Sequence, residues 1–292
     1  MRELIIDVLR IVAPLSVALI VFAEALGIAP KQVVACFKDR PVVMLRALVA
    51  ALVLVPAAAL GLILVLQPAP AVAVGLAILV ACPPAPLMIK SATKTGGGDA
   101  AFMASLHLSL AALAVVTIPA VLNVMALPLG FSASVDPASL LSILAKSILL
   151  PIGLGLAARA VFPAWAGASA ALLGQVGTVG LLVVVIAILA AFYPTLLNMD
   201  AWSYAVIAAV CVAGLAIGHL LGPQNDRQRT VLAIECAVRH PGLAIAIAVT
   251  NFTPQQALPV LVPCILTFIG LATVYLVWRG RSSPRAAAPQ PP

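Results

Sequence analysis

Apolar residues run along this chain in stretches of about 20 or more, separated by short polar or Pro/Gly clusters; about 20 residues of helix cross a hydrocarbon layer about 30 Å thick. Taken between breakers, the runs predict helices over 5–28, 41–66, 71–95, 98–127, 137–162, 167–192, 199–221, 225–252 and 254–279, hence about nine crossings. A membrane β-barrel would show segments of roughly 10 residues alternating in polarity, and no such alternation is sustained. The pattern predicts an all-α polytopic membrane protein whose surroundings are the lipid bilayer. Residues 1–281 read as one transmembrane domain. The Pro- and Ala-rich tail 282–292 has nothing to bury and is expected to be a disordered cytoplasmic extension.

Composition agrees: 64% of the 292 residues are hydrophobic and 9% charged, with mean hydropathy +1.20. The net charge of +7 does not point to nucleic acid, because the basic residues form no patch with aromatics between them. Topology accounts for them instead. With the N-terminus outside, cytoplasmic loops receive Lys31, Lys38, Arg40, Lys94, Arg159, Arg227, Arg229, Arg279, Arg281 and Arg285, while outer loops carry Asp136 and Asp200. Only Arg2 falls on the wrong side. This bias requires an odd number of spans and predicts a bacterial inner membrane protein with a cytoplasmic C-terminus. Arg2, the apolar run to Phe22 and the motif Ala23 to Ala25 mimic a secretory signal, but Asp7 and Arg10 interrupt the run, which is read as the first span. Cys36, Cys82, Cys211, Cys236 and Cys264 form no C-x-x-C pair and read as small core residues.

Two spans cannot be continuous. Cys82, Pro83, Pro84 and Pro86 interrupt the third, since each proline lacks a donor and clashes with the carbonyl one turn back. Pro241 and Gly242 interrupt the eighth after His240. Irregular backbone at membrane depth needs protein or a wet cavity around it. One break in each half points to an inverted-repeat transporter with a midplane site, the plainer alternative being two ordinary proline kinks.

Ionisable residues gather near the same breaks, where each costs at least ~2.5 kcal/mol unless paired or wetted. Lys90 follows the first break, His107 lies within the fourth span, and Glu235, Arg239 and His240 lead into the second. The spacing of Glu235 and Arg239 suits an i,i+4 ion pair. The structural alternatives are a pair that only pins helix packing, a Lys90 that snorkels to the headgroups and an ordinary core histidine at 107. Glu24, Arg46, Lys146 and His219 are read as packing or interfacial residues.

Phe22 to Pro30, Phe37-Lys-Asp-Arg-Pro41, Pro56, Val80-Ala-Cys-Pro83, Lys146 with Leu149 to Gly155, and Ile234-Glu235 with Gly242-Leu-Ala244 together resemble the bile acid:sodium symporter family, within the bile/arsenite/riboflavin transporter superfamily. The resemblance covers nearly the whole chain. Bacterial relatives often have ten helices; the nine counted here correspond to loss of their first, as in the animal bile acid carriers. Two crossed broken helices would lie in a core (41–66, 71–95, 98–127, 199–221, 225–252, 254–279), against which a panel (5–28, 137–162, 167–192) rocks to carry an organic anion.

The family's sodium sites are lined by hydroxyl and amide side chains around a glutamate, as a hard cation requires. Glu235 keeps the glutamate, but the other positions fall on Ala51, Met88, Ile89, Met103, His107, Arg239 and His240. Thioether and alkyl groups ligate sodium poorly, and Arg239 brings its own charge. The expectation is a carrier in which a tethered guanidinium, together with Lys90, replaces sodium. Coupling would pass to protons through His107, His240 and Glu235, or be absent. Sodium is therefore a disfavoured partner, and no other cofactor and no obligate protein partner are expected. A sensor or scaffold that keeps the fold without transporting is the alternative. An intramembrane enzyme ranks last, with no H-E-x-x-H, G-x-S-x-G or paired catalytic aspartates.

Overall fold

The computed structural model describes residues 2–85, 100–131, 137–223, 225–252 and 254–282, and among them every regular element is a helix. In chain order these are α1 (Arg2–Gly27), α2 (Pro30–Asp39), α3 (Pro41–Leu66), α4 (Pro70–Ala81), α5 (Ala100–Leu129), α6 (137–161), α7 (Pro163–Leu197), α8 (Ala201–Leu221), α9 (Asp226–Ala237), α10 (Pro241–Asn251) and α11 (Pro254–Ser282). Most begin with proline, whose fixed φ suits a first helical position and whose missing N–H removes nothing there.

Among the described residues, seven helices are long and apolar enough to cross a membrane: α1, α3, α5, α6, α7, α8 and α11. The bilayer as solvent explains side chains such as Leu127 and Val65, which are 90% and 79% exposed. The other two predicted spans are not single helices. α4 stops at Ala81, and 225–252 divides into α9 and α10, both at the prolines that the sequence singles out. The link 29–40, read as a loop, contains α2, which opens on Pro30 and packs on α5.

Glycine decides how closely α8 approaches α9. A Cβ at Gly214 would lie 2.8 Å from the Cys236 carbonyl, and one at Gly218 would strike the Leu232 carbonyl. Their G-x-x-x-G spacing puts both on one face, where backbone meets backbone. A similar seam joins α1 to α6 and α7: a Cβ at Gly155 would meet Ala25 Cβ at 2.6 Å, and one at Gly177 would meet Ile20 Cγ1 at 2.7 Å. α1 also packs against α10. Three pairs of helices are thereby held at backbone distance: α8 with α9, and α1 with each of α6 and α7.

Inside α3 and α6 the ladder widens into a π turn, Ala50–Leu54 and Ala145–Leu149, each closing just before a proline, Pro56 or Pro151. In α3 the Val55 N–H bonds to the Ala50 carbonyl. The next rung would run from residue 56 to the carbonyl of Ala51, but proline has no donor. The Ala51 carbonyl is left for another partner.

Gly218→Val is expected to lower stability by about 1–3 kcal/mol, because the neighbour it strikes is backbone. Gly61→Ala, where a Cβ meets nothing within 4 Å, is the control and should hold or gain stability. Thermal melting of the detergent-purified variants checks both.

Candidate functional site

The two breaks meet. Pro83 and Pro84 end α4, and Cys82 is extended at φ −70°, ψ 150°, the region favoured before proline. On the other side, a helix continued through Pro241 would drive its ring into the Ala237 carbonyl, so α9 ends at Ala237. Pro84 and Arg239 then face each other in an antiparallel bridge. The His240 N–H donates to the Pro83 carbonyl at 2.8 Å and the Ala85 N–H to the Val238 carbonyl at 3.2 Å. Each break thus supplies partners that the other lacks, as buried backbone requires.

Arg239 closes the crossing. Its Nη1 donates to the Cys82 carbonyl at 3.2 Å, and its Nη2 to the carbonyls of Ala51 at 3.3 Å and Cys236 at 3.1 Å. Two of these oxygens belong to helix C-terminal ends, which carry negative partial charge, and the third is the one freed by Pro56. The residue is 4% exposed. The ion pair expected between Arg239 and Glu235 is not among those of the described residues. The reason is local: with α9 ending at Ala237, the two residues no longer share a helical face.

Glu235 pairs instead with His107 on α5. His107 Nδ1 lies 3.3 Å from Glu235 Oε2, and Nε2 lies 3.3 Å from Glu24 Oε2 on α1. One imidazole therefore ties three helices. Glu24, read from the sequence as packing or interfacial, is the third member of this cluster. Its signal was present as a carboxylate inside an apolar run, where unpaired charge is costly; that it faces residue 107 is a matter of tertiary packing. Arg46 and Lys146 are exposed.

His240 caps α10, its Nδ1 accepting from the Leu243 N–H at 3.4 Å. Its proton then belongs on Nε2. That atom and Arg239 Nε are buried without a hydrogen-bond partner, as is Glu24 Oε1. Gly242 lets α1 and α7 approach the break, since a Cβ there would meet Val17 Cγ2 and Leu181 Cδ1, both at 2.8 Å. Ala51 and Met103 are fully buried, Met103 one turn before His107. Pro86, Met88, Ile89 and Lys90 lie outside the described residues.

The model of the Sodium Bile acid symporter family matches residues 14–198, more than half of the chain. The protein belongs to that family. No curated protein matches it. The matched stretch takes in α1 to α7 with the first break, whereas Glu235, Arg239 and His240 lie beyond it. In this member of the Sodium Bile acid symporter family, the oxygens around the crossing are therefore already bonded: the Glu235 carboxylate to an imidazole, three carbonyls to a guanidinium.

Arg239→Ala strands those carbonyls in a buried place and should destabilise the protein by about 3 kcal/mol. Arg239→Lys should recover only part of the loss, because one ammonium cannot span three acceptors with a guanidinium's planar reach. Melting temperatures of the two variants against wild type measure the effect.

Proposed function

We propose that the protein is a secondary transporter that moves an organic anion across the bacterial inner membrane by alternating access, with tethered cationic side chains standing where relatives take sodium. The observation that carries this reading is Arg239 bonded to the carbonyls of Ala51, Cys82 and Cys236. Family membership supports transport as the general activity.

The same reading counts about nine crossings, seven uninterrupted helices plus the two broken segments. It places α1, α6 and α7 in a panel and the remaining spanning helices in a core. The N-terminus is outside and the C-terminus cytoplasmic. Support for an anion comes from the buried Arg239 Nε and His240 Nε2, both donors without partners at the second break, and from the N-terminal end of α10 beside them. Support for replacement of sodium comes from the donor set. A hard cation needs oxygen lone pairs, and here His107 and Arg239 engage the oxygens that relatives would offer. The coupling ion is then the proton, or transport is uncoupled.

Proteoliposomes loaded with a panel of short- and medium-chain carboxylates and alkyl sulfonates test this. Counterflow of at least one anion is expected, unaffected by an imposed sodium gradient and raised by an inward proton gradient. Robust sodium stimulation would overturn the replacement of sodium, and binding without counterflow would favour a sensor that retains the fold. Arg239→Gln should gain a melting temperature that rises with sodium, because bound cation stabilises the folded state, while wild type should not respond.

A further inference from the structure

We propose that Glu24, His107 and Glu235 form one proton-binding site whose load decides whether α1 is held to α5 and α9. This deepens the transport reading, on which α1 belongs to the moving panel and the other two helices to the core.

Each ring nitrogen of His107 faces a carboxylate oxygen at 3.3 Å. A nitrogen and an oxygen at that separation share one proton, so two contacts require two protons among three groups, and the triad carries one net negative charge. This two-proton state is the locked one. Loss of a proton empties one contact and leaves lone pair against lone pair. Gain of a third needs a free lone pair in the cluster, and Glu24 Oε1 supplies it, buried and accepting no hydrogen bond. The proton enters at Glu24, the most exposed member, with 16% of its side chain accessible against 4% for His107 and 1% for Glu235.

The third proton converts the α1 to α5 contact from an ion pair into a bond to a neutral carboxyl and cancels the charge of the triad. Separating α1 from α5 in the locked state would leave the Glu24 carboxylate unpaired on α1, facing a neutral imidazolium–Glu235 pair, at a cost that the membrane interior makes high. In the loaded state the surfaces part as neutral groups. The proton is thereby a ligand of the seam between the two bodies. Among the described residues, the charged and titratable groups that face the triad are Arg239 and His240 at the crossing and the Cys236 thiol, with the thiols of Cys82 and Cys211 beyond them against Arg239; Lys146 on α6, which packs on α1, is exposed.

The test uses the full chain in nanodiscs, with spin labels at Leu15→Cys on α1 and Val116→Cys on α5, both exposed positions. Inter-label distances are measured between about pH 5 and pH 8, where histidine and carboxylate clusters exchange protons. Two populations are expected, their ratio shifting about tenfold per pH unit through the transition, as uptake of one proton requires. Glu24→Gln, permanently neutral at this position, should hold the released population at every pH, and Glu24→Asp should restore the titration.

An infrared difference spectrum of wild type across the same range should show a carboxyl band, which Glu24→Asp shifts and Glu24→Gln removes. A wild type whose distances and carboxyl band ignore pH overturns the proposal even should Glu24→Gln fail to fold. Proton-driven flux that survives in Glu24→Gln overturns it while leaving transport intact. A titrating seam in a protein that carries none of the carboxylates or sulfonates upholds the site and overturns transport.

Discussion

Inside a hydrocarbon layer, a backbone carbonyl without a donor has no water to turn to, and the architecture around the crossing follows from that single constraint. Pro83, Pro84 and Pro241 remove donors and stop helices, so α4 and α9 end with their negative ends near each other. The antiparallel bridge between Pro84 and Arg239 satisfies part of the freed backbone. The guanidinium satisfies more, taking the Cys82, Cys236 and Ala51 carbonyls at 3.1–3.3 Å. A charge is well suited there, since helix C-terminal ends attract cations.

The second device depends on distance rather than on backbone satisfaction. His107 reaches carboxylates on two other helices only because small residues hold those helices close. Gly214 and Gly218 bring α8 onto the backbone of α9, which carries Glu235, and Gly155 and Gly177 seat α1, which carries Glu24. Packing and electrostatics are therefore coupled: the glycines set the spacing on which the imidazole contacts rest.

Much of the architecture was legible in advance because it depends on local rules. Long apolar runs marked the uninterrupted spans, and α4, α9 and α10 end or begin at the prolines and glycine that signal a break. The pairing of Glu235 with Arg239 was misread for a physical reason. An i,i+4 argument assumes a continuous helix, and Pro241 ends that helix between the two residues. Glu24 was passed over because its position near the end of α1 suggested headgroups, and one sequence cannot say which helix faces it. The role of Pro56 was legible only after the π turn was visible, since only a wider ladder leaves the Ala51 carbonyl to Arg239.

By itself the sequence determined the solvent, the helical class, the places where two spans must break and the family to which the chain belongs, because hydropathy, proline geometry and motif order act over short stretches. Tertiary structure alone decided which broken ends meet, which carbonyls receive the guanidinium and which carboxylates share the imidazole. Those outcomes join residues more than a hundred positions apart, as in His107 with Glu235 and Cys82 with Arg239. Contacts of that range are set by how whole helices pack, and no local pattern along the chain encodes them.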